Sequence, residues 1–554
     1  MRLAKRLGFI VLMSSLAFAQ TSTTNDAAST SNVAEQLKKL QDAMTEQQKQ
    51  ITQQQQQLQK QQQEMEALRQ QLATQQNVSA KPGDASAHIV NASLHNTTAN
   101  NPTAQPASDA PLQEDQSKDS PLSFRIGGAQ FTPGGFMDFT SIFRSTNTGN
   151  PGGTNFFAIP FSNTVQGHLT ENRFTAQNSR INLKATEKFG ANDVTGFVEA
   201  DFLGNDAANV FVTSNSHTFR LRHYFLDLKR DKWEFLGGQT WSWLNPNRNG
   251  LSPYSADVFF SQNVDFNYQV GLTWTRAPQF RVVYHPNENW ALGLALENPE
   301  QFVGAGEVIF PFAFNAQLGV QFDAANNSGT PNVHPDIIPK IAYDTDLNGK
   351  HFHVEAAGLV TTFKLTDIPI GGTSFVSHRK TGGGVEAAAN LEIIKNFRLV
   401  GNAFISNGGG RYVFGMGPDV VVRPNALGTD LDMSLVHTRS GIGGFEWQAT
   451  PKAAFYGYYG GAYFQRNAFL DVTNPVPGRI GGFGGTNSPN SANRAIQEGT
   501  LGWTQTFWKN PQYGAVQLMT QYSYLTRAPW FVALGAPKNA HLSMGWVNLR
   551  YTLP

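Results

Sequence analysis

Residues 179–202 read SRINLKATEKFGANDVTGFVEADF. From Ser179 to Ala185, the side chains of Ile181, Leu183 and Ala185 fall on one side of an extended chain, and those of Arg180, Asn182 and Lys184 on the other. A turn over Glu187–Asp193 follows. Beyond it Val198, Ala200 and Phe202 alternate with Phe197, Glu199 and Asp201. Successive side chains of a strand point to opposite faces, so the stretch predicts a hairpin with one apolar and one charged face. The period recurs in Trp290, Leu292, Leu294 and Leu296, and again in Val547, Leu549, Tyr551 and Leu553. A soluble β-sandwich alternates too. What separates the two classes lies outside the strands.

At the start of the chain, Arg2, Lys5 and Arg6 precede a short apolar run, Leu7–Phe18, and Ala17-Phe18-Ala19 offers small residues for cleavage. Residues 1–19 therefore read as a secretory signal peptide. The 554 residues contain no cysteine. That excludes a lipid-anchored cysteine, a disulfide framework and any thiolate-bound metal. Net charge is +1, which gives no reason to expect a nucleic-acid partner. Mean hydropathy is −0.34, yet aromatic residues make up 12% of the chain and glycine numbers 52. A membrane barrel combines these features, because half of each strand meets lipid and half meets water. No stretch beyond the signal approaches ~18 consecutive apolar residues, so a spanning segment has to be a strand of a closed barrel.

The rest divides into zones. Residues 20–32 are small and polar. Leu37, Met44, Ile51, Leu58, Met65 and Leu72 alternate at heptad spacing with Val33, Leu40, Gln47, Gln54, Gln61 and Leu68. This predicts a coiled coil over 33–76, capped by Asn32 with Glu35 three residues on. Its buried glutamines favour three helices over two. Residues 77–120, rich in Ala, Asn, Pro, Ser and Thr, read as a linker. Residues 121–554 carry the barrel. At roughly 10 residues per strand, with short turns alternating with long loops, that length suits about 16 strands, with about 18 as the alternative. Segments 147–170, 245–267, 326–335 and 473–493 are expected as outer loops.

Several strings give this zone a likeness. They are Gln177-Asn178-Ser179-Arg180, Gly196–Gly204, Phe219-Arg220-Leu221-Arg222-His223 and Gly238-Gln239-Thr240-Trp241-Ser242. Further on stand Arg276-Ala277-Pro278-Gln279-Phe280-Arg281, Leu296-Glu297-Asn298-Pro299-Glu300 and Gly408-Gly409-Gly410-Arg411-Tyr412. In their order and spacing the chain resembles the DcaP-like family of trimeric outer-membrane porins. The resemblance implies a homotrimer of 16-stranded barrels in outer-membrane lipid, with a coiled coil before the barrel. It also implies uptake of small anionic solutes, dicarboxylates being the usual suggestion. The chain departs from outer-membrane habit by ending Tyr551-Thr552-Leu553-Pro554, which leaves the register of the last strand open.

A diffusion pore requires a constriction whose charges select what passes, with no catalytic residue, cofactor or metal. The candidates are Arg180, Lys184, Arg220, Arg222, Arg276 and Arg281, faced by Glu199 and Asp201. Guanidinium groups suit carboxylate solutes. Alternatively, these arginines are wall ion pairs of Glu199 and Asp201. Parity raises a conflict, because Arg220 and Arg222 share a face with Tyr224, Leu226 and Leu228. Either a bulge near His223 shifts the register or the lower half of that strand has a different environment. His351 and His353 share a face but lack a third ligand, and read as lumen or interface histidines. Gly382–Gly384 and Gly408–Gly410 read as turns. Trp233, Phe235, Trp290 and Trp546 read as interfacial girdle. No nucleophile with an adjacent base suggests an enzyme. The coiled coil is expected in the periplasm, with peptidoglycan a candidate partner. The competing reading is a structural protein tethering outer membrane to cell wall.

Overall fold

The computed structural model describes residues 120–554, apart from 151, 205–217, 255–261, 325–328 and 487. The expected signal peptide, flexible segment and coiled coil, and the linker up to residue 119, lie outside the described residues.

A closed antiparallel barrel of 16 staves forms the described chain. The first eight are β1 (Ala129–Arg144), β2 (Arg180–Phe189), β3 (Asn192–Asp201), β4 (Arg220–Arg230), β5 (Trp233–Trp241), β6 (Arg276–Asn287), β7 (Trp290–Glu297) and β8 (Asp336–Leu347). The second eight are β9 (Lys350–Asp367), β10 (Val376–Ile394), β11 (Phe397–Asn407), β12 (His437–Thr450), β13 (Ala453–Phe464), β14 (Asn493–Asn510), β15 (Gly514–Pro529) and β16 (Ala540–Thr552). A short strand, Glu171–Thr175, runs in line with β2, and both lie against β1. Closure comes from β1 and β16, paired from Phe136 opposite Thr552 to Arg144 opposite Met544. Leu553 N–H then donates to Gly135 O at 3.0 Å. The last strand therefore has a definite register without a terminal aromatic. Closure also leaves no edge strand to present unpaired amides to lipid.

Connections alternate in length. At one end they are tight: Gly190 (φ 61°) turns β2 into β3, and Asn348-Gly349 (φ 55° and 72°) turns β8 into β9. Two successive positive φ angles are what a type I′ hairpin turn requires. Long connections gather at the other end, which in this barrel class is extracellular. Two of them share a three-stranded sheet, Val308–Ile309, Ile480–Phe483 and Asn467–Leu470. Another carries a hairpin of Val420–Pro424 and Leu431–Leu435.

The alternation expected from the opening hairpin sorts the faces. Ile181, Leu183, Val198, Leu292, Leu294, Leu296, Val547 and Leu549 are exposed on the outer wall, whereas Glu199, Asp201, Glu355, Glu446 and Glu498 are buried inside it. An exposed apolar face of this extent fits a hydrocarbon solvent. Trp233, Phe235 and Trp290 stand exposed near the tight turns, where a girdle belongs. Trp546 does not: it is buried, edge-on to Phe266 at 5.6 Å and beneath the Arg144 guanidinium at 5.3 Å. Gly382–Gly384 also departs from expectation, since it lies within β10. Close backbone approach explains those glycines: a Cβ on Gly383 would stand 2.6 Å from Leu359 O.

Candidate pore constriction

One side of the barrel is low. β2 to β6 have 10, 10, 11, 9 and 12 residues, against 18 and 19 in β9 and β10. Arg180, the first residue of β2, pairs with Phe136 in the middle of β1. Residues 242–254 and 262–275, the described parts of loop 3 between β5 and β6, start from this low wall and turn into the lumen. The expectation of an outer loop at 245–267 is thus corrected: its described residues lie in the interior.

Wall side chains hold loop 3 in place by accepting from its backbone. Trp243 N–H donates to Glu297 (2.7 Å), Asn247 N–H to Glu355 (3.0 Å) and Gly250 N–H to Asp344 (3.0 Å). Val264 N–H donates to Gln521 (2.6 Å) and Val270 N–H to Glu498 (2.9 Å). Arg248 forms a two-pronged pair with Glu446 on β12, at 2.7 and 2.6 Å. Backbone amides buried inside a barrel require acceptors, and the carboxylates on the inner wall provide them. The far wall is also shaped to receive the loop. A Cβ on Gly271 (φ 94°) would collide with the Gly441 carbonyl of β12, and one on Gly460 of β13 with the Val270 carbonyl. Gly441, Gly460 and Gly461 are thus where the wall backbone meets the loop backbone.

The basic candidates gather where loop 3 leaves the wall. A bulge in β4 resolves the parity conflict. His223 pairs with Glu199 and Leu221 with Ala200, so Arg222 is the extra residue. Arg220 and Arg222 face inward, Leu221 and Tyr224 outward, and His223 begins the shifted register. Arg220 bonds both oxygens of Asp201, at 2.9 and 2.7 Å. Arg222 bridges Glu199 and Asp201, each at 2.8 Å. Arg180 lies 3.9 Å from Glu199. Arg276, first in β6, lies 5.0 Å over the Trp241 ring, and Arg222 lies 5.7 Å from the same ring.

Four guanidinium groups thus gather around two carboxylates. Arg180 Nε, Arg222 Nη2 and Arg276 Nη1 are buried and make no hydrogen bond within the protein. Aromatic rings roof the cluster: Tyr268 of loop 3 lies 6.1 Å from Trp241, and Trp274 lies 5.2 Å from Tyr268. Tyr268 also interacts with Arg180.

Two candidates stand apart. Lys184 lies further down the inner face of β2, its ammonium 5.3 Å over the Tyr254 ring of loop 3. Arg281 is buried, bonded to Gln279 (2.6 Å) and the Trp241 carbonyl and lying 5.0 Å over Trp243. It anchors the first turn of loop 3. His353 sits between Asp344 (2.7 Å) and Glu355 (3.2 Å), and His351 faces Asp346 at 3.3 Å. The sequence reading missed Trp241, Tyr268 and Trp274. Only Trp241 carried a signal, inside one of the strings of the resemblance.

No family model matches the chain, and no curated protein matches it. Solved structures do. The outer membrane channel DcaP of Acinetobacter baumannii superposes with a TM-score of 0.53 at 18% identity, covering 77% of this chain and 98% of that one. An anion-selective porin from Comamonas acidovorans reaches a TM-score of 0.42 at 12% identity, over 77% of this chain and 100% of its own. OmpF of Salmonella typhi reaches 0.43 at 11%, over 78% and 100%. At these identities only the first match bears on the argument, and it bears on the fold alone. The likeness seen in the sequence strings extends to the architecture: the described chain has the barrel fold of the DcaP outer-membrane channel.

Proposed function

We propose that the protein is an outer-membrane porin that passes small hydrophilic solutes by diffusion and prefers small anions, dicarboxylates among them. One observation carries this reading: where loop 3 enters the lumen, the guanidinium groups of Arg180, Arg220, Arg222 and Arg276 outnumber the carboxylates of Glu199 and Asp201. Elsewhere on the inner wall the carboxylates of Glu297, Glu355, Glu446 and Glu498 are occupied in holding loop 3. In this reading the arginines set the field that a solute meets beside the cluster. Arg180, Arg220, Arg222 and Arg276 take the selectivity role, Glu199 and Asp201 hold their geometry, and Lys184 extends the basic face. A guanidinium fork matches a carboxylate with two parallel hydrogen bonds, and a second fork nearby suits a second carboxylate.

The reading includes a homotrimer in outer-membrane lipid, with the heptads of 33–76 as a three-stranded coiled coil in the periplasm, within reach of peptidoglycan. The unbroken heptad and the glutamines at its d positions support it. Planar-bilayer conductance with the reversal potential taken in a salt gradient tests the proposal. Steps in groups of three with anion selectivity are expected. Cation selectivity would remove the arginine constriction, and absence of conductance would favour the tether.

A further inference from the structure

Three residues outside the constriction converge at the extracellular rim. Asp367 ends β9, His378 stands near the start of β10, and Asp430 lies in the 408–436 connection, between the two strands of its hairpin. One ring nitrogen, His378 Nε2, is 3.0 Å from Asp367 Oδ1 and 3.3 Å from Asp430 Oδ1. One ligand atom from each residue lies within 4.8 Å of the others. A single imidazole nitrogen can offer one proton, so it cannot satisfy two carboxylates at once. A second observation points the same way. The Asp367 side chain is fully buried, yet its Oδ2 has no hydrogen-bond partner.

We propose that Asp367, His378 and Asp430 form a binding site for a divalent cation of the zinc type. Zinc takes imidazole nitrogen and carboxylate oxygen at about 2.0–2.2 Å in a tetrahedron, whose ligand atoms are then about 3.3 Å apart. The observed separations of 3.0 and 3.3 Å are edges of such a figure. Donor chemistry disfavours calcium, which gathers ~6–8 oxygens. The cation has a route in, because the His378 and Asp430 side chains keep 18% and 34% of their surface open, while Asp367 closes the inner side. Its effect is mechanical. Asp367 and His378 belong to the wall, and Asp430 to the connection beyond β11. The cation fastens that hairpin to the rim, beside the bond from Ile370 N–H to Thr429 O (2.8 Å).

The test uses the full-length protein without a polyhistidine tag, titrated with ZnCl2 and separately with CaCl2 in a calorimeter. The expected result is one Zn2+ bound per chain, no comparable heat from Ca2+, and at least tenfold weaker Zn2+ binding in His378→Ala and in Asp430→Asn. His351→Ala, at the opposite end of β9, should bind as the wild type does. A second readout is chymotryptic cleavage after Leu427, which is exposed at the hairpin tip. Zn2+ should slow it in the wild type and not in Asp430→Asn. Each variant is first checked for heat-modifiable gel mobility, and if His378→Ala does not fold, Asp430→Asn decides. The proposal is overturned if Zn2+ does not bind, if both folded variants bind it undiminished, or if Ca2+ binds equally well.

Discussion

A single charge near a narrow aqueous passage contributes an amount fixed by its distance and surroundings. At ~8 Å a guanidinium acts on a passing anion with about 0.5 kcal/mol at the dielectric constant of water and about 2 kcal/mol at an effective value near 20. Arg276→Gln should therefore lower anion permeability roughly two- to thirtyfold, and the loss of selectivity is read from the reversal potential. Arg230→Gln, at the exposed end of β4 away from the cluster, should leave that selectivity alone. Equal effects of the two would remove the arginine cluster as selector. At this scale the sequence was informative wherever period two held. Arg180, Lys184, Glu199 and Asp201 face inward as their parity predicts. Parity also exposed the conflict at Arg220 and Arg222 and pointed to a bulge near His223, but could not choose between that bulge and a change of environment, since one inserted residue leaves no mark of its own. Trp241 and Tyr268 stayed hidden because the contact joins the end of β5 to the middle of a loop. The Asp367, His378 and Asp430 grouping was hidden for the same reason.

Loop 3 is held by polar bonds to the far wall and by glycines that let two backbones touch. Removing one partner of the buried Arg248–Glu446 pair leaves an uncompensated charge, at a cost of about 3–5 kcal/mol. Arg248→Gln should detach the loop from β12 and raise single-channel conductance, whereas Arg230→Gln, on the exposed end of β4, should not. The loop's composition misled the sequence reading. Gly, Asn, Pro and Ser mark irregular backbone, but nothing in that signal says on which side of a wall the backbone lies. The acceptors are also 54 to 257 residues away in the chain.

A neighbouring connection, 298–335, carries a pH dependence. Burial pushes the Glu307 carboxyl up to about 8, with Arg527 pulling it part of the way back. Its unfolded value is about 4.3, so the native loops bind one proton more than the unfolded chain between these limits. The stability it brings is complete below about 4.3 and is lost as pH rises through about 8, at no more than about 1.4 kcal/mol per pH unit. Proteolysis of the extracellular loops should quicken from pH 5 to 8 and level off above. In Glu307→Gln that rise should disappear.

The whole molecule joins a barrel that closes on itself to a heptad segment with a seam of its own. The barrel's integrity does not depend on that segment, because its closing register, Phe136–Thr552 to Arg144–Met544, lies wholly within 129–552. Trimer stability is a separate quantity. If the glutamines at Gln47, Gln54 and Gln61 bond around a threefold axis, the helices contribute to association and not to pore formation. Deleting 33–76 should then leave heat-modifiable mobility and the conductance of each pore unchanged. It should shift native mass from trimer toward monomer on dilution and turn triplet steps into single ones. A deletion variant that stays trimeric at the same dilution would confine assembly to the barrel. The heptads would then be left to a role against the cell wall, which cosedimentation with peptidoglycan of the wild type, but not of the deletion, would reveal.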